Sequence, residues 1–306
     1  MANQDFLRTR WGIEIEMTGI TRKQAAEIVK DHLQGRISRS DGSSHEITAP
    51  DGRIWKITYD GSIRTQKKTA GRTTPAGKEY SVELVSPILT YEEDMENLQE
   101  LIRKLRRAGA FSTKDTCTGI HIHLDGADHT PKSLKNFLNL IHARNDLLYQ
   151  SLEVERSRMH YCKKLDARLV ERIKGKKPTT FKEIEDIWYE GYSGPRTRKY
   201  HESRYAFANL HSFFNGVGTI ELRAFNNPSL HAGKIRAYTI LSLAMNHQAL
   251  TQKSISANKP QMDNPKFAMR TWLNRMGLIG KEFKNCREHL VKHLDGNASW
   301  RFRGAA

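Results

Sequence analysis

The chain has 306 residues, 38% of them hydrophobic, and carries a net charge of +16, from 50 Lys and Arg against 34 Asp and Glu. That length and apolar content support a packed core, in one large domain or two small ones, and exclude an intrinsically disordered chain. No apolar run of about 18 residues is present, which excludes a membrane-spanning helix. The three cysteines (Cys117, Cys162, Cys286) form no CxxC pair and suggest neither a zinc knuckle nor a disulfide framework. The opening MANQDFLRTRW lacks the apolar core of a secretory signal, so the cytoplasm is the expected compartment.

Residues 10–18 alternate as a strand does, with Ile13 and Ile15 on one face and Glu14 and Glu16 on the other. Thr21 reads as the N-cap of a helix over RKQAAEIVKDHL. Short strands are expected near 45–49 and 53–59, joined at APDGR. The stretch 64–78, RTQKKTAGRTTPAGK, is polar, basic and rich in turn formers; it predicts a mobile loop. Within it, GRTTPAGKE resembles a P-loop only superficially. The spacing is one residue too long, and no Ser or Thr follows the lysine. A lid carrying Lys67, Lys68, Arg72 and Lys78 and a plain solvated loop both remain open. EYSVELVSP (79–87) is a strand stopped by proline, and 91–109 is an amphipathic helix, acidic at its start and basic at its end. TGIHIHLD (118–125) is again a strand. Helices are expected at 131–156, 164–174 and 180–190, then a basic loop. YAFANLHSF and GTIELRAF form a last strand pair turning at Asn215-Gly216. From about 229 onward the chain reads as mostly helical. Between Asn226 and Ala306 it carries 13 Lys and Arg against four Asp and Glu. That basic tail is either a solvated face or a surface for a polyanion.

Four strands concentrate ionisable residues on one face. Glu14 and Glu16, two apart, project together, and carboxylates so close repel unless a cation lies between them or one is protonated. Glu83 stands between Val82 and Leu84. His121 and His123 share the face opposite Ile120, Ile122 and Leu124. Glu221 and Arg223 alternate with Ile220 and Leu222, either as an ion pair or as a metal ligand beside a phosphate clamp. Singly, each pattern also fits an ordinary solvent-facing strand. Together, about four carboxylates and two imidazoles in one concavity call for two or three Mg²⁺ or Mn²⁺ ions and a bound polyphosphate.

The runs GIEIEMTGITRKQAAEIV, DGSI (60–63), ELVSPIL (83–89), GIHIHLD and TIELRAF occur in this order. They resemble the amidoligases of the carboxylate–amine ligase superfamily, which shares the glutamine synthetase fold. The resemblance runs from about Trp11 to Phe225. It implies an α+β fold: a curved antiparallel sheet with helices on its outer face, like the glutamine synthetase catalytic domain. The catalytic core would span residues 1–228, with a helical insertion at about 131–200. Residues 229–306 would form a basic helical extension packed on it. The implied activity is ATP- and Mg²⁺-dependent amide formation through an acyl phosphate. In that scheme Glu14 and His121 resemble ligands of the metal nearer the phosphates. Glu16 and Glu83 resemble ligands of the metal nearer the substrate carboxylate, and Glu221 the last ligand. His123 and Arg223 resemble phosphate contacts. Asp60 and Ser62 would position substrate or amine, Arg64 would grip a carboxylate, and Arg204 and Asn209 would reach nucleotide or substrate. Glutamine synthetases carry more acidic ligands before the His strand; only Glu83 is evident here, with Glu79 a weaker candidate.

At least one substrate is expected to be large and anionic, such as a peptide, cell-wall precursor or nucleic acid, with no membrane partner. Two other classes stay open. One is a metal-dependent phosphohydrolase or nuclease using the same carboxylates. The other is a non-enzymatic nucleic-acid binder, drawing on the charge and on Trp188, Tyr189, Tyr192, Tyr200, Tyr205 and Trp300.

Overall fold

The computed structural model describes residues 5–260 and 262–299; Trp300 lies outside them. The fold is α+β, and the chain divides into two compact units. One comprises residues 10–122 and 225–236, the other the described residues of 1–9, 123–224 and 237–306.

The first unit is built on a sheet whose strands lie in the order β2-β3-β4-β7-β1-β8. These are β1 (Trp11–Met17), β2 (Arg36–Asp41), β3 (Ser44–Thr48), β4 (Ile54–Thr58), β7 (Val82–Val85) and β8 (Gly119–Asp125), the last continuing into the other unit. The pairs β2/β3, β3/β4, β4/β7 and β7/β1 are antiparallel. The alternation expected for β1 holds: Trp11, Ile13, Ile15 and Met17 are buried on one face. Two helices accompany the sheet, α1 (Arg22–Leu33) and α2 (Tyr91–Arg107). α1 opens with a capping box in which the Thr21 side chain accepts from Gln24 N–H and the Gln24 side chain accepts from Thr21 N–H. It lies over β2, β3 and β4 and buries Ala25, Ala26 and Val29. Between β1 and α1 the chain passes Gly19, at φ 92°, where a Cβ would stand 2.4 Å from the carbonyl oxygen of Gly109. Only glycine fits there.

Two parts differ from expectation. The strand β2 lies ahead of the first short strand expected, because its burial is too slight to leave an apolar pattern. The stretch 64–78 is not a structureless loop: β5 (Gln66–Thr69) and β6 (Arg72–Pro75) form a hairpin. Its two turn residues, Ala70 (φ 49°) and Gly71 (φ 78°), both occupy the left-handed region that a tight two-residue hairpin demands. Lys67 lies over the Tyr80 ring and Lys68 over that of Phe111.

Arg22, nearly buried, ties this unit together. Its guanidinium donates to the carbonyls of Lys78 (2.6 Å), Ser81 (2.9 Å) and Gly42 (3.2 Å) and lies over the Tyr59 ring. Arg22→Ala is expected to lower unfolding stability by about 2 kcal/mol in urea, since three carbonyls lose a charged donor. Arg22→Lys should recover only part, because an ammonium cannot reproduce the fork.

The second unit is mostly helical. It holds α3 (Pro131–Ser151), α4 (Ala167–Lys176), α5 (Phe181–Tyr189), α6 (His211–Asn215), most of α7 (Ala232–Thr251), α8 (Pro265–Arg275) and α9 (Lys284–Val291). Its strand pair is β9 (Ala208–Asn209) with β10 (Thr219–Asn226), antiparallel. β9 is shorter than expected because the Asn209 side chain accepts from His211 N–H at 2.8 Å and turns the chain into α6. Leu134, Phe137, Leu138 and Ile141 of α3 and Ile240, Leu241 and Met245 of α7 are fully buried.

Among these helices His129 is 5% exposed, between Ser133 Oγ (3.1 Å) and Asn246 Oδ1 (2.8 Å). Burial pushes its imidazole below the ordinary value of 6.5, with the Asn246 hydrogen bond acting the other way. A depressed folded pKa means the unfolded chain takes up the extra proton. Stability is therefore full above about pH 6.5 and is lost as pH falls below it. His201 and His211 are displaced in the same direction by burial. Denaturation midpoints should stay level from pH 8 to 7 and decline toward pH 5. His129→Gln should flatten that decline by up to about 1.4 kcal/mol per pH unit; an unchanged slope would remove His129 from the account. No helix among the described residues is long and apolar enough to cross a membrane.

Candidate functional site

The strand order β4-β7-β1-β8 brings the acidic positions of the first unit into a row. Glu83 on β7 lies directly opposite Glu16 on β1 and, on its other side, opposite Thr58 at the end of β4. Asp60 follows Thr58 by two residues. Its carboxylate accepts from Ser62 N–H and Ser62 Oγ, while Ser81, buried, binds the Asp60 backbone through both its N–H (3.1 Å) and its carbonyl (2.6 Å). That double contact fixes the DGS turn. On the far side of β1, His121 Nδ1 is 2.9 Å from Glu14 Oε2, and His121 Nε2 is 3.7 Å from Glu16 Oε1.

Within this unit, two triads result among the described residues, Glu14–Glu83–His121 and Glu16–Asp60–Glu83, each with its donor atoms within 4.8 Å of one another. Glu83 belongs to both. Four carboxylates and one imidazole form a donor set rich in hard oxygens, which fits Mg²⁺ or Mn²⁺ rather than a thiophilic metal. Like charges so close repel, and a divalent cation is the natural counter-charge. Glu16 is 3% exposed and held from behind: Gly119 N–H donates to its Oε2 at 2.6 Å, and Asn227 Nδ2 to its backbone carbonyl at 2.6 Å. Gly119, Ser81 and Asn227 escaped the sequence reading. Their contribution is a backbone amide or a short polar side chain reached from far along the chain, and no local pattern signals that.

The remaining candidates fall as follows. Glu79 sits exposed on a 3-10 turn (Lys78–Tyr80) and joins neither triad. Arg64 is exposed, with its N–H bonded to Thr116 O at 2.9 Å. His123 lies on the part of β8 that belongs to the other unit, half-buried. In that unit Glu221 (3% exposed) and Arg223 (6%) form a buried ion pair. Asn209 Nδ2 donates to Glu221 Oε2 at 2.6 Å, and Arg223 Nε donates to Tyr161 O at 3.3 Å. Tyr205 lies beneath both Arg204 and Arg223, 5.8 and 6.0 Å from ring centre to guanidinium carbon. Arg158, 3% exposed, donates to the Arg223 carbonyl at 3.0 Å. Arg158 had no role in the sequence reading, and Tyr205 was named there only among the aromatics of a nucleic-acid binder.

Fold and site thus define an α+β protein with a carboxylate-rich, cation-compatible cluster on the strands of a large antiparallel sheet. The chain belongs to the family described as "putative amidoligase enzyme", whose profile matches residues 7–246. That membership makes it a ligase-type enzyme. No curated protein matches the chain.

Proposed function

We propose that the chain is an ATP-dependent carboxylate–amine ligase. The observation that carries this reading is the pair of donor triads sharing Glu83, in a chain of the amidoligase family. Glu14, Glu16, Asp60, Glu83 and His121 would hold the divalent ions. Bound ions would supply counter-charge to the phosphates of ATP and to the phosphoryl group in transfer. A substrate carboxylate attacks the γ-phosphorus, releasing ADP and leaving an acyl phosphate. The amine then attacks the acyl carbon, loses a proton and expels phosphate. Activation is needed because a free carboxylate is a poor electrophile. Glu221 would be the last metal ligand of this scheme, His123, Arg223, Arg204 and Asn209 its nucleotide-side residues, and Ser62 and Arg64 the substrate-side ones. The charge of +16 favours an anionic acid or amine.

The test is phosphate release from ATP with Mg²⁺ or Mn²⁺, measured against a panel of peptides and amines. Release that requires both an acid and an amine supports the ligase. Release with neither present supports a phosphohydrolase. Salt-sensitive nucleic-acid binding that survives Glu14→Ala, with no turnover of ATP, supports a binding protein.

A further inference from the structure

The second unit holds two pockets of similar size whose charges are arranged differently. One, about 530 Å³, is lined in part by Lys163, Arg168, Arg172, Trp188 and Tyr205. Its cations are already matched: Lys163 with Glu202, Arg168 with Asp166, Arg172 with Glu190. The other, about 510 Å³, is lined by Lys132, Lys135, Lys174, Lys177 and Lys253 and by no carboxylate. None of these five ammonium groups forms an ion pair among the described residues.

This second pocket is built rather than incidental. Asn136 on α3, 5% exposed, donates to the carbonyls of Ala249 (3.3 Å) and Gln252 (2.8 Å) and accepts from Ile255 N–H (3.0 Å). Asn139 donates to Ile255 O at 2.9 Å. These bonds fasten the segment after α7, with Lys253, Ser254 and Ser256, against α3. Lys135 Nζ donates to Pro178 O at 2.6 Å and fastens the end of α4 on the other side. There Lys177 caps α4 in the left-handed region, φ 49°, a conformation that glycine or asparagine adopts more readily. Three elements thus hold lysines around one concavity whose floor includes Val170 and Ile173. The first turn of α3 contains no acidic residue, so its positive dipole end is not offset there.

We propose that this pocket binds a compact polyphosphate: a small ligand carrying several phosphate groups, recognised through them. The volume is that of a small-ligand site. No aromatic side chain lines it, so nothing offers a surface on which a nucleobase stacks, and recognition rests on charge and on the hydroxyls and amides. The proposal is independent of the ligase reading, because none of its residues belongs to the carboxylate triads.

The experiment is calorimetric titration of the full chain with inorganic tripolyphosphate in chelator-containing buffer. Without divalent ions the carboxylate cluster repels the probe. The triple variant Lys132→Gln/Lys174→Gln/Lys253→Gln changes one exposed lysine on each element. It should bind at least about tenfold more weakly, while the matching Lys→Arg triple keeps the affinity. Lys281→Gln/Lys284→Gln/Lys292→Gln, which removes the same charge elsewhere, should leave binding intact. Three results would overturn the proposal: no binding by the unmodified chain, equal weakening by both Gln triples, or binding of a DNA duplex without tripolyphosphate. An inactive ligase would leave this readout untouched.

Discussion

Glu83→Gln is expected to lower ATP-dependent amide formation at least about a thousandfold, equivalent to roughly 4 kcal/mol of transition-state stabilisation. The substitution is isosteric, and β7 keeps its backbone pairing with both β1 and β4. Circular dichroism and melting temperature should therefore scarcely change. The large effect follows from position: Glu83 is the one residue common to both donor triads. Asp60→Asn touches one triad only, and a smaller loss, about a hundredfold, is expected. Manganese binding followed by electron paramagnetic resonance gives the companion readout, with Glu83→Gln impaired more than Asp60→Asn. Full activity in Glu83→Gln would sink the shared-ligand reading, whatever the chemistry turned out to be.

Glu221→Ala is expected to cost about 3–5 kcal/mol of unfolding free energy, the largest stability loss predicted for any of the candidate residues. The reason is the partner left behind. Arg223 is 6% exposed, and Glu221 supplies its carboxylate counter-charge. Truncating Glu221 also strands the Asn209 amide, 2% exposed, which donates to it. Replacing both charges by leucine should recover part of the loss, because the desolvated cation goes with its partner. Urea denaturation of the two variants decides the matter. A loss below about 1 kcal/mol for Glu221→Ala would mean that the pair is wetter than its burial indicates.

Much of the strand chemistry was legible before any coordinates. A strand has a side-chain period of two, so Glu14 with Glu16, and Val82 and Leu84 around Glu83, declared their faces without tertiary knowledge. Their alignment across strands depends on register and order, which alternation does not encode. That is why Asp60, read as a turn residue near the substrate, lies in a donor triad with Glu16 and Glu83. The hairpin at 66–75 was read as loop because its residues are polar on both faces and its turn uses Ala70 where asparagine is usual. The contacts that orient Glu16 come from Gly119 and from Asn227, 103 and 211 positions away. Separations of that size leave no trace in a local pattern.

The strand β2 has a consequence for the molecule in crowded solution. It closes one edge of its unit's sheet, and five of its six residues, all but Ile37, are exposed. An edge strand offers unpaired amides and carbonyls to any other extended chain. Arginine at positions 36 and 39, aspartate at 41 and the break in register between Ile37 and Arg39 all discourage such docking. Substituting valine at Arg36, Arg39 and Ser40 would turn the edge into a template for self-association, visible as light scattering well below the melting temperature.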